Sequence, residues 1–453
     1  VISEEDIKTL IIHGFGVEGR AALLHWHTRL DGNIVIIDKP TSLAKVALED
    51  VPHERIRLMT EDDVLDAAPF AAENTLYLRS PGVPPTNAVF EKMQSSGIFH
   101  TTPTGYWLAT HTPDRLVTIT GTKGKSSTTD LTVQLLQWAG RDAVALGNIG
   151  VTPFEADIRP DTICIVELSS YMMHDLPQLK GFHCVTSLYQ EHTDWHGDFS
   201  AYAAAKLRPF SWHPPADGLM AEAIAEQLTA EATPPDFFEN TVPLDGSTLQ
   251  LSDDIFVPTR QLNEAFAAPS LLLALRAAAA ICLSQNFLTA TELKATLEEH
   301  LPGWAGLPSR QEIIPTRDGR LWVNDALATV PEATLSALAR FGKQDVHLLL
   351  GGQDRGQLFT ALLQHCADLP AAHVYAFGQT SQKVQEAAQQ AELTHRLHVS
   401  DTLEDAITTA SNNAQDGATL LFSPAAPSGP PHSNYQQRAR IFRDFATAAH
   451  RPH

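Results

Sequence analysis

The sequence predicts an α/β protein of three domains, each built on a mainly parallel sheet, and three observations predict it. The chain of 453 residues is about three times the ~150 residues of a common domain. Its hydrophobic fraction of 43% suffices for a core in each. Apolar runs of strand length, each followed by a turn signal and then by helical periodicity, recur three times, which is the pattern of βα units around parallel strands. The expected division is 1–111, 112–306 and 307–453, with boundaries where His111-Thr112-Pro113-Asp114 and Leu301-Pro302-Gly303 interrupt the patterns.

Thr9-Leu10-Ile11-Ile12-His13 opens a Rossmann-like first domain. It runs into Gly14-Phe15-Gly16-Val17-Glu18-Gly19, a helix, and then Asn33 to Asp38. Asp38 lies nineteen residues after Gly19, the spacing of a dinucleotide fingerprint. Alone, that match predicts an NAD-dependent oxidoreductase. Such a turn serves other nucleotides too, or only packs a helix on a strand.

The second domain begins at Leu116-Val117-Thr118-Ile119-Thr120 and passes into Gly121-Thr122-Lys123-Gly124-Lys125-Ser126-Ser127, with a helix expected over Thr128 to Ala139 before Gly140. Strand, glycine-rich turn and helix in this order make a phosphate loop. Glycines let the backbone wrap an anion, the helix start aims N–H groups at it, Lys125 neutralises charge and the Ser126 hydroxyl can ligate Mg²⁺. The spacing G-x-x-G-K-S is shorter than the usual form. The bland alternative is a glycine-rich turn with a solvated lysine.

Next, Thr162 to Val166 forms an apolar strand that delivers Glu167 and then Leu168-Ser169-Ser170, placing a carboxylate and hydroxyls at a strand's C-terminal end. A further strand, Cys184 to Leu188, leads into Glu191-His192-Thr193-Asp194-Trp195-His196-Gly197. Oxygen ligands and an imidazole beside a phosphate loop suit Mg²⁺ shared with phosphate. Asp194, Trp195 and His196 could equally be loop hydrogen-bonders and packing residues. Lys206, among alanines on a helix over Ser200 to Phe210, reads by itself as a solvated or snorkelling side chain. The third, Rossmann-like domain carries Leu321-Trp322-Val323-Asn324-Asp325 and His347-Leu348-Leu349-Leu350-Gly351-Gly352 as strand-to-turn transitions.

Composition narrows the partners. The formal charge of −21, from 32 basic and 53 acidic side chains, opposes nucleic acid and anionic membrane surfaces. No run approaches the ~20 apolar residues of a membrane span. The first thirty residues carry Glu4, Glu5 and Asp6 rather than a signal peptide, so a cytoplasmic protein is expected. Cys164, Cys184, Cys282 and Cys366 lie far apart and read as reduced core thiols.

Taken together, the phosphate loop, Leu146-Gly147-Asn148-Ile149-Gly150, Glu167-Leu168-Ser169-Ser170, and Glu191 to His196 followed by Ala205-Lys206 resemble the Mur ligase family, and within it the MurD-type glutamate ligases. Ser80-Pro81-Gly82-Val83-Pro84, Gly306 to Glu312, Asn324-Asp325, Gly351-Gly352-Gln353-Asp354-Arg355-Gly356 and Ser423-Pro424-Ala425-Ala426-Pro427-Ser428 extend the resemblance over nearly the whole chain. It implies an ADP-forming amide ligase of peptidoglycan precursor synthesis that adds glutamate to UDP-N-acetylmuramoyl-L-alanine through an acyl phosphate. It also implies that the first domain holds UDP rather than NAD, at Gly14, Phe15, Gly16, Val17, Asp38, Ser80, Pro81 and Gly82, with Asn148 and Ser169 also on the UDP-substrate. ATP would lie on Gly121, Thr122, Lys123, Gly124, Lys125, Ser126 and Ser127, with Arg310 and Asp325 at its phosphates and ribose. Two Mg²⁺ ions would meet Ser126, Glu167, His192 and Lys206, the last as a carbamylated lysine. Lys125, Glu167, His192 and Lys206 would be catalytic. Thr329, Arg355, Ser423 and Ser428 would receive the amino acid, and a monomer is expected.

Three departures stand out. Where D-glutamate ligases carry S-K-A-T-N, this chain has Ala326-Leu327-Ala328-Thr329-Val330. Where they carry an Asp after S-P-A, it has Ser428-Gly429-Pro430-Pro431-His432. The stretch from Ala267 to Ala280 lacks the H-N-x-x-N of the family. The forms around His192 and Ser423 resemble the branch that adds L-glutamate, so L-glutamate is the preferred substrate and D-glutamate the alternative. A folate-type polyglutamate ligase and a non-catalytic nucleotide-binding scaffold fit fewer of these motifs.

Overall fold

A computed structural model describes residues 1–43, 55–68, 70–111, 115–149, 151–222, 224, 236–238, 248–252, 255–258, 269–304, 307–343, 345–354, 357–432 and 434–448. They group into two compact units, one of Val1–Thr259 with Ser270–His300, the other of Arg260–Pro269 with Leu301–His453.

The first unit contains two parallel sheets. The strands β1 (Thr9–His13), β2 (Asn33–Ile37), β3 (Ile56–Met59), β4 (Thr75–Arg79) and β5 (Phe99–Thr101) stand in the order β3-β2-β1-β4-β5. The apolar side chains of β1, β2 and β4 are buried on both faces, as central parallel strands require, while the edge strand β3 leaves Leu58 exposed. The chain reverses direction across the sheet between β1 and β4, so the Gly14 turn and Ser80 meet at the crevice where such sheets place ligands.

The second sheet comprises β6 (Leu116–Thr120), β7 (Ala143–Gly147), β8 (Ile163–Glu167), β9 (Phe182–Val185), β10 (Asp217–Ala221) and β11 (Asp236–Phe238), in the order β11-β10-β9-β6-β8-β7. Here β6 is the switch point, with β8 and β9 on its two sides. A small antiparallel hairpin follows, β12 (Thr248–Ser252) with β13 (Ile255–Pro258).

His183 on β9 is buried against the Thr118 hydroxyl at 2.6 Å. Burial pushes its pKa from 6.5 down to about 3, so it is neutral in the folded protein. An unfolded chain takes up this proton below its ordinary value. The stability tied to neutral His183 is therefore present above pH 6.5 and lost as pH falls toward 3. The urea midpoint is expected to drop from pH 6.5 to 4, and less steeply in His183→Asn. Equal slopes in both proteins would show that His183 plays no part.

The other unit holds β14 (Glu312–Ile314), β15 (Leu321–Asn324), β16 (Val346–Gly351), β17 (Ala372–Phe377), β18 (Leu397–Ser400) and β19 (Thr419–Phe422), in the order β14-β15-β19-β16-β17-β18. Only β14 runs antiparallel. One apolar cluster, including Leu348, Leu350, Val374 and Leu363, fills one face, and a second, including Trp322, Tyr375 and Phe442, fills the other.

The expected elements appear with shifted ends. The phosphate-loop helix spans Lys125–Trp138, starting three residues before Thr128. The strand expected over Cys184 to Leu188 is Phe182–Val185, which leaves Thr186 and Ser187 to brace the loop. The helix of Lys206 is Phe199–Leu207, followed by a 3₁₀ turn. All four cysteines are buried thiols. Among the described residues no helix is long and apolar enough to cross a membrane.

Candidate active site

The loop after β6 is shaped by two glycines. Gly121 has φ +150°, and a Cβ there would meet Thr186 Oγ1 at 2.1 Å. Gly124 has φ +87° and starts the helix Lys125–Trp138 without a capping side chain, leaving the first amides to face an anion. Thr186 and Ser187 brace the loop from β9. Thr122 N donates to Ser187 O (2.8 Å), Lys123 N donates to Ser187 Oγ (2.8 Å), and Thr186 Oγ1 donates to Lys123 O (2.7 Å). Lys125 Nζ donates to Gly121 O (2.9 Å) and Thr122 O (3.0 Å). Ser126 and Ser127 lie in the first helical turn.

Lys206 approaches the same loop from the other side. Its Nζ donates to Gly121 O (2.8 Å) and Thr120 Oγ1 (3.2 Å) and lies 5.0 Å from the centre of the Tyr202 ring. At 1% exposure it does not snorkel, contrary to what a lone lysine on a helix suggests. Burial first, and then the Lys125 charge, hold its pKa well below the ordinary lysine value. Two lysines thus share the Gly121 carbonyl.

Glu167 stands one strand away, in register with Ile119 and 1% exposed. Its Oε1 accepts from Asn148 Nδ2 (2.8 Å), and its Oε2 is buried without a partner. The Leu-Gly-Asn turn has a physical reason. Gly147 lies so close to the Glu167 backbone that a Cβ would meet Glu167 O at 2.4 Å, and Asn148 N donates to that carbonyl. Ser169 caps the helix Ser170–His174 through Met172 N.

His192 adopts the left-handed conformation, φ 55°. Its Nδ1 lies 2.9 Å from the Tyr171 hydroxyl and its Nε2 3.7 Å from Glu191. Glu191 in turn pairs with Lys123 at 2.6 Å. Burial lowers the His192 pKa, with Glu191 acting against it, so the ring is neutral at pH 7. Trp195 is a packing residue against Tyr171. His196 has both ring nitrogens buried without partners, and burial is the main reason its pKa falls to about 4.

Among the described residues no three His, Cys, Asp or Glu side chains converge to hold a metal. A hard cation here would need oxygens from phosphate and water, as Mg²⁺ prefers. The unpartnered Glu167 Oε2, on the strand next to β6, is an oxygen ligand of the right chemistry.

In the first sheet, Gly14 (φ +89°) touches Ser80 so closely that a Cβ would lie 2.5 Å from the Ser80 Cβ. Phe15 N donates to Asp38 Oδ2 (2.7 Å), and Lys39 N donates to Asp38 Oδ1 (2.6 Å). Gly16 and Val17 begin the next helix, while Pro81 and Gly82 continue from Ser80. One residue here escaped sequence reasoning. Arg79, fully buried at the end of β4, donates from Nε to Asp175 Oδ2 (2.6 Å) and from its guanidinium to Val83 O. It also lies 5.2 Å from the Trp195 ring. The only sequence signal was a charge closing an otherwise apolar strand.

In the other unit, Asp325 accepts from Ser423 Oγ (2.7 Å) and Gln311 N (3.1 Å). Burial raises its pKa to about 7, against the pull of Ser423, Gln311, Arg310 and Arg340. Arg310 Nε is buried without a partner. Ser309, Gln311 and Ala425 hold left-handed conformations around this cluster, local strain of the kind that gathers at functional sites. Ser423 is wholly buried, its hydroxyl also bonded to Thr334. Ser428 Oγ is buried without a partner, and Thr329 is partly exposed. Arg355 lies outside the described residues, as do Ala267 and Ala268 at the start of the missing H-N-x-x-N stretch.

Comparison with known proteins matches residues 119–234 to the Mur ligase middle domain and residues 309–426 to the Mur ligase glutamate ligase domain. The chain belongs to the Mur ligase family. This Mur ligase is 30% identical, over 98% of its length and 96% of the relative's, to the UDP-N-acetylmuramoyl-L-alanine–L-glutamate ligase of Xanthomonas euvesicatoria pv. vesicatoria. It is also 30% identical, over 98% of both chains, to the protein of that name from Micromonospora. A UDP-N-acetylmuramoylalanine–D-glutamate ligase from Geobacillus kaustophilus is 28% identical over 81% of this chain and 82% of the other. The fold of this Mur ligase is similar to that of the UDP-N-acetylmuramate-alanine ligase MurC of Thermotoga maritima (TM-score 0.57, 14% identity, 97% and 99% of the two chains). It is likewise similar to MurF of the same organism in complex with ADP (TM-score 0.55, 13% identity, 99% and 97%). The three-domain α/β expectation and the resemblance read from the motifs both stand.

Proposed function

We propose that this Mur ligase condenses glutamate, L-glutamate in preference to D-glutamate, with UDP-N-acetylmuramoyl-L-alanine at the expense of ATP, releasing ADP and phosphate. The observation that carries the reading is the phosphate loop flanked by two lysines on one carbonyl, with a buried carboxylate on the neighbouring strand that has one oxygen without a partner. The named relatives supply the substrates. The L-adding ligases match over nearly the full length, whereas the D-adding one matches over 81% of this chain.

In this reading residues 1–111 hold the UDP-substrate, 112–306 ATP and 307–453 the amino acid. The loop amides and Lys125 bind the phosphates and stabilise charge on the transferring oxygens as the substrate carboxylate becomes an acyl phosphate. Ser126 and Glu167 would hold Mg²⁺, which supplies further charge neutralisation on the phosphates when bound. Neutral His192 can take a proton from the incoming ammonium so that the amine attacks the acyl carbon. Burial, which lowers the Lys206 pKa, favours the free amine that adds to CO₂, its nitrogen bonding the carbon with loss of one proton to leave a carbamate. Asp325 and Arg310 would meet the nucleotide.

The test is phosphate release from ATP, Mg²⁺ and UDP-N-acetylmuramoyl-L-alanine with either glutamate isomer. Release with L-glutamate, stopped by chelating the divalent cation, is expected. Release with D-glutamate alone would select the other reading, and no release with either would overturn the ligase assignment.

A further inference from the structure

The backbone of His192 is held before its ring is. In its left-handed conformation (φ 55°) the His192 carbonyl accepts from Trp195 N (3.2 Å) and His196 N (3.0 Å). That fixes the direction of the Cα–Cβ bond and leaves two side-chain torsions to be set. With 44% of the side chain exposed, packing alone does not set them. Among the described residues the Tyr171 hydroxyl, 2.9 Å from Nδ1, is the one hydrogen-bond partner of the ring. Glu191 stands 3.7 Å from Nε2, beyond hydrogen-bond reach, and is itself paired with Lys123.

Tyr171 is ordered independently of that bond. It lies on the helix Ser170–His174, capped by Ser169 just after the strand that delivers Glu167. Its ring centre is 4.7 Å from that of Trp195, which is 8% exposed, and it stacks on His196 at 5.8 Å. A phenol already held by two rings gives up little further freedom in bonding to a third. It therefore ties the Glu167 arm of the site to the His192 arm. The bond at one imidazole nitrogen decides what the other can do. A neutral imidazole has one N–H and one lone pair, so an Nδ1–H donated to the phenol oxygen leaves the lone pair on Nε2, while the phenol hydrogen turns to solvent on the exposed side of the pair.

We propose that Tyr171 is a positioning residue for the ligation step, its phenol oxygen accepting from His192 Nδ1–H and so presenting the Nε2 lone pair to the incoming ammonium. The proposal rests on the reading that the chain is a ligase in which His192 takes that proton.

Nitrogen NMR of the full-length protein carrying ¹⁵N-histidine reads the tautomer directly, at about pH 8, above the ordinary histidine value, where the ring is neutral. His192→Gln identifies its signals among the 20 histidines. The hydrogen is expected on Nδ1 in the unmodified protein and divided between the two nitrogens in Tyr171→Phe, which keeps the ring on Trp195 and His196 and removes only the hydroxyl. A hydrogen on Nε2 in the unmodified protein overturns the proposal, as does the same tautomer in both proteins. Kinetics supply the second readout. One hydrogen bond that holds a reacting ring is worth roughly 10-fold in rate, so kcat should fall by about that factor in Tyr171→Phe while KM for ATP and for the UDP-substrate stays within about twofold. An unchanged kcat in the folded variant overturns the proposal. Should Tyr171→Phe fail to fold, the tautomer of the unmodified protein decides by itself. Absence of turnover in the unmodified protein with either glutamate isomer would overturn the ligase reading and this proposal together, whereas turnover with the hydrogen on Nε2 would sink the role of Tyr171 alone.

Discussion

Lys125→Ala is expected to lose ligation by roughly 10³-fold or more while keeping its fold, because removing one preorganised cation from a transferring phosphoryl group costs on that scale. Its Nζ bonds to the Gly121 and Thr122 carbonyls at the rim of the loop rather than in the core, so its loss leaves no buried charge. Circular dichroism and the urea midpoint should match the unmodified protein within about 1 kcal/mol. The substitution also removes the second-largest influence depressing the Lys206 pKa, moving that amine toward its charged form. Near-normal turnover in the variant would remove the phosphate loop from the mechanism.

The largest effect on stability is expected at Arg79. Burial by itself would raise the Asp175 pKa, yet bonds from His174 and the Arg79 guanidinium hold it below the usual carboxylate value. The pair lies at 0% and 3% side-chain exposure and ties β4 to the segment after the helix Ser170–His174. Arg79→Ala leaves Asp175 buried without its counter-ion, and breaking such a pair costs about 3–5 kcal/mol. Adding Asp175→Asn to that variant should restore part of the loss, a coupling that denaturant titration of the unmodified protein, the two single variants and the double variant measures. A single-variant loss below about 1 kcal/mol would show that the pair contributes little.

Much of this was legible in the sequence, for physical reasons. The phosphate loop could be read because its strand, glycines and helix are local and each has its own signature. Glu167 could be read because an apolar strand delivers it to a sheet edge. Lys206 could not be judged from its helix, since what buries it is Gly121 and Thr120, more than eighty residues away in the chain. Arg79 failed for the same reason, its partner Asp175 being 96 residues distant. The strand expected to reach Leu188 ends at Val185 because Thr186 and Ser187 turn their polar atoms to the loop, a tertiary demand that apolar periodicity does not carry. Ser423 resembled a ligand contact, but its hydroxyl is used in holding Asp325.

The four cysteines lend themselves to a different use. Burial pushes the Cys164 thiol up to about 11 and those of Cys184, Cys282 and Cys366 to about 12, so alkylating reagents at neutral pH find almost no thiolate in the native fold. They sit on β8, β9, and the helices Pro269–Ser284 and Thr360–Asp368, three in one unit and one in the other. Each reacts only when its own layer opens. Peptide-resolved labelling kinetics would thus clock how separately the two units breathe, with no foreign probe in either.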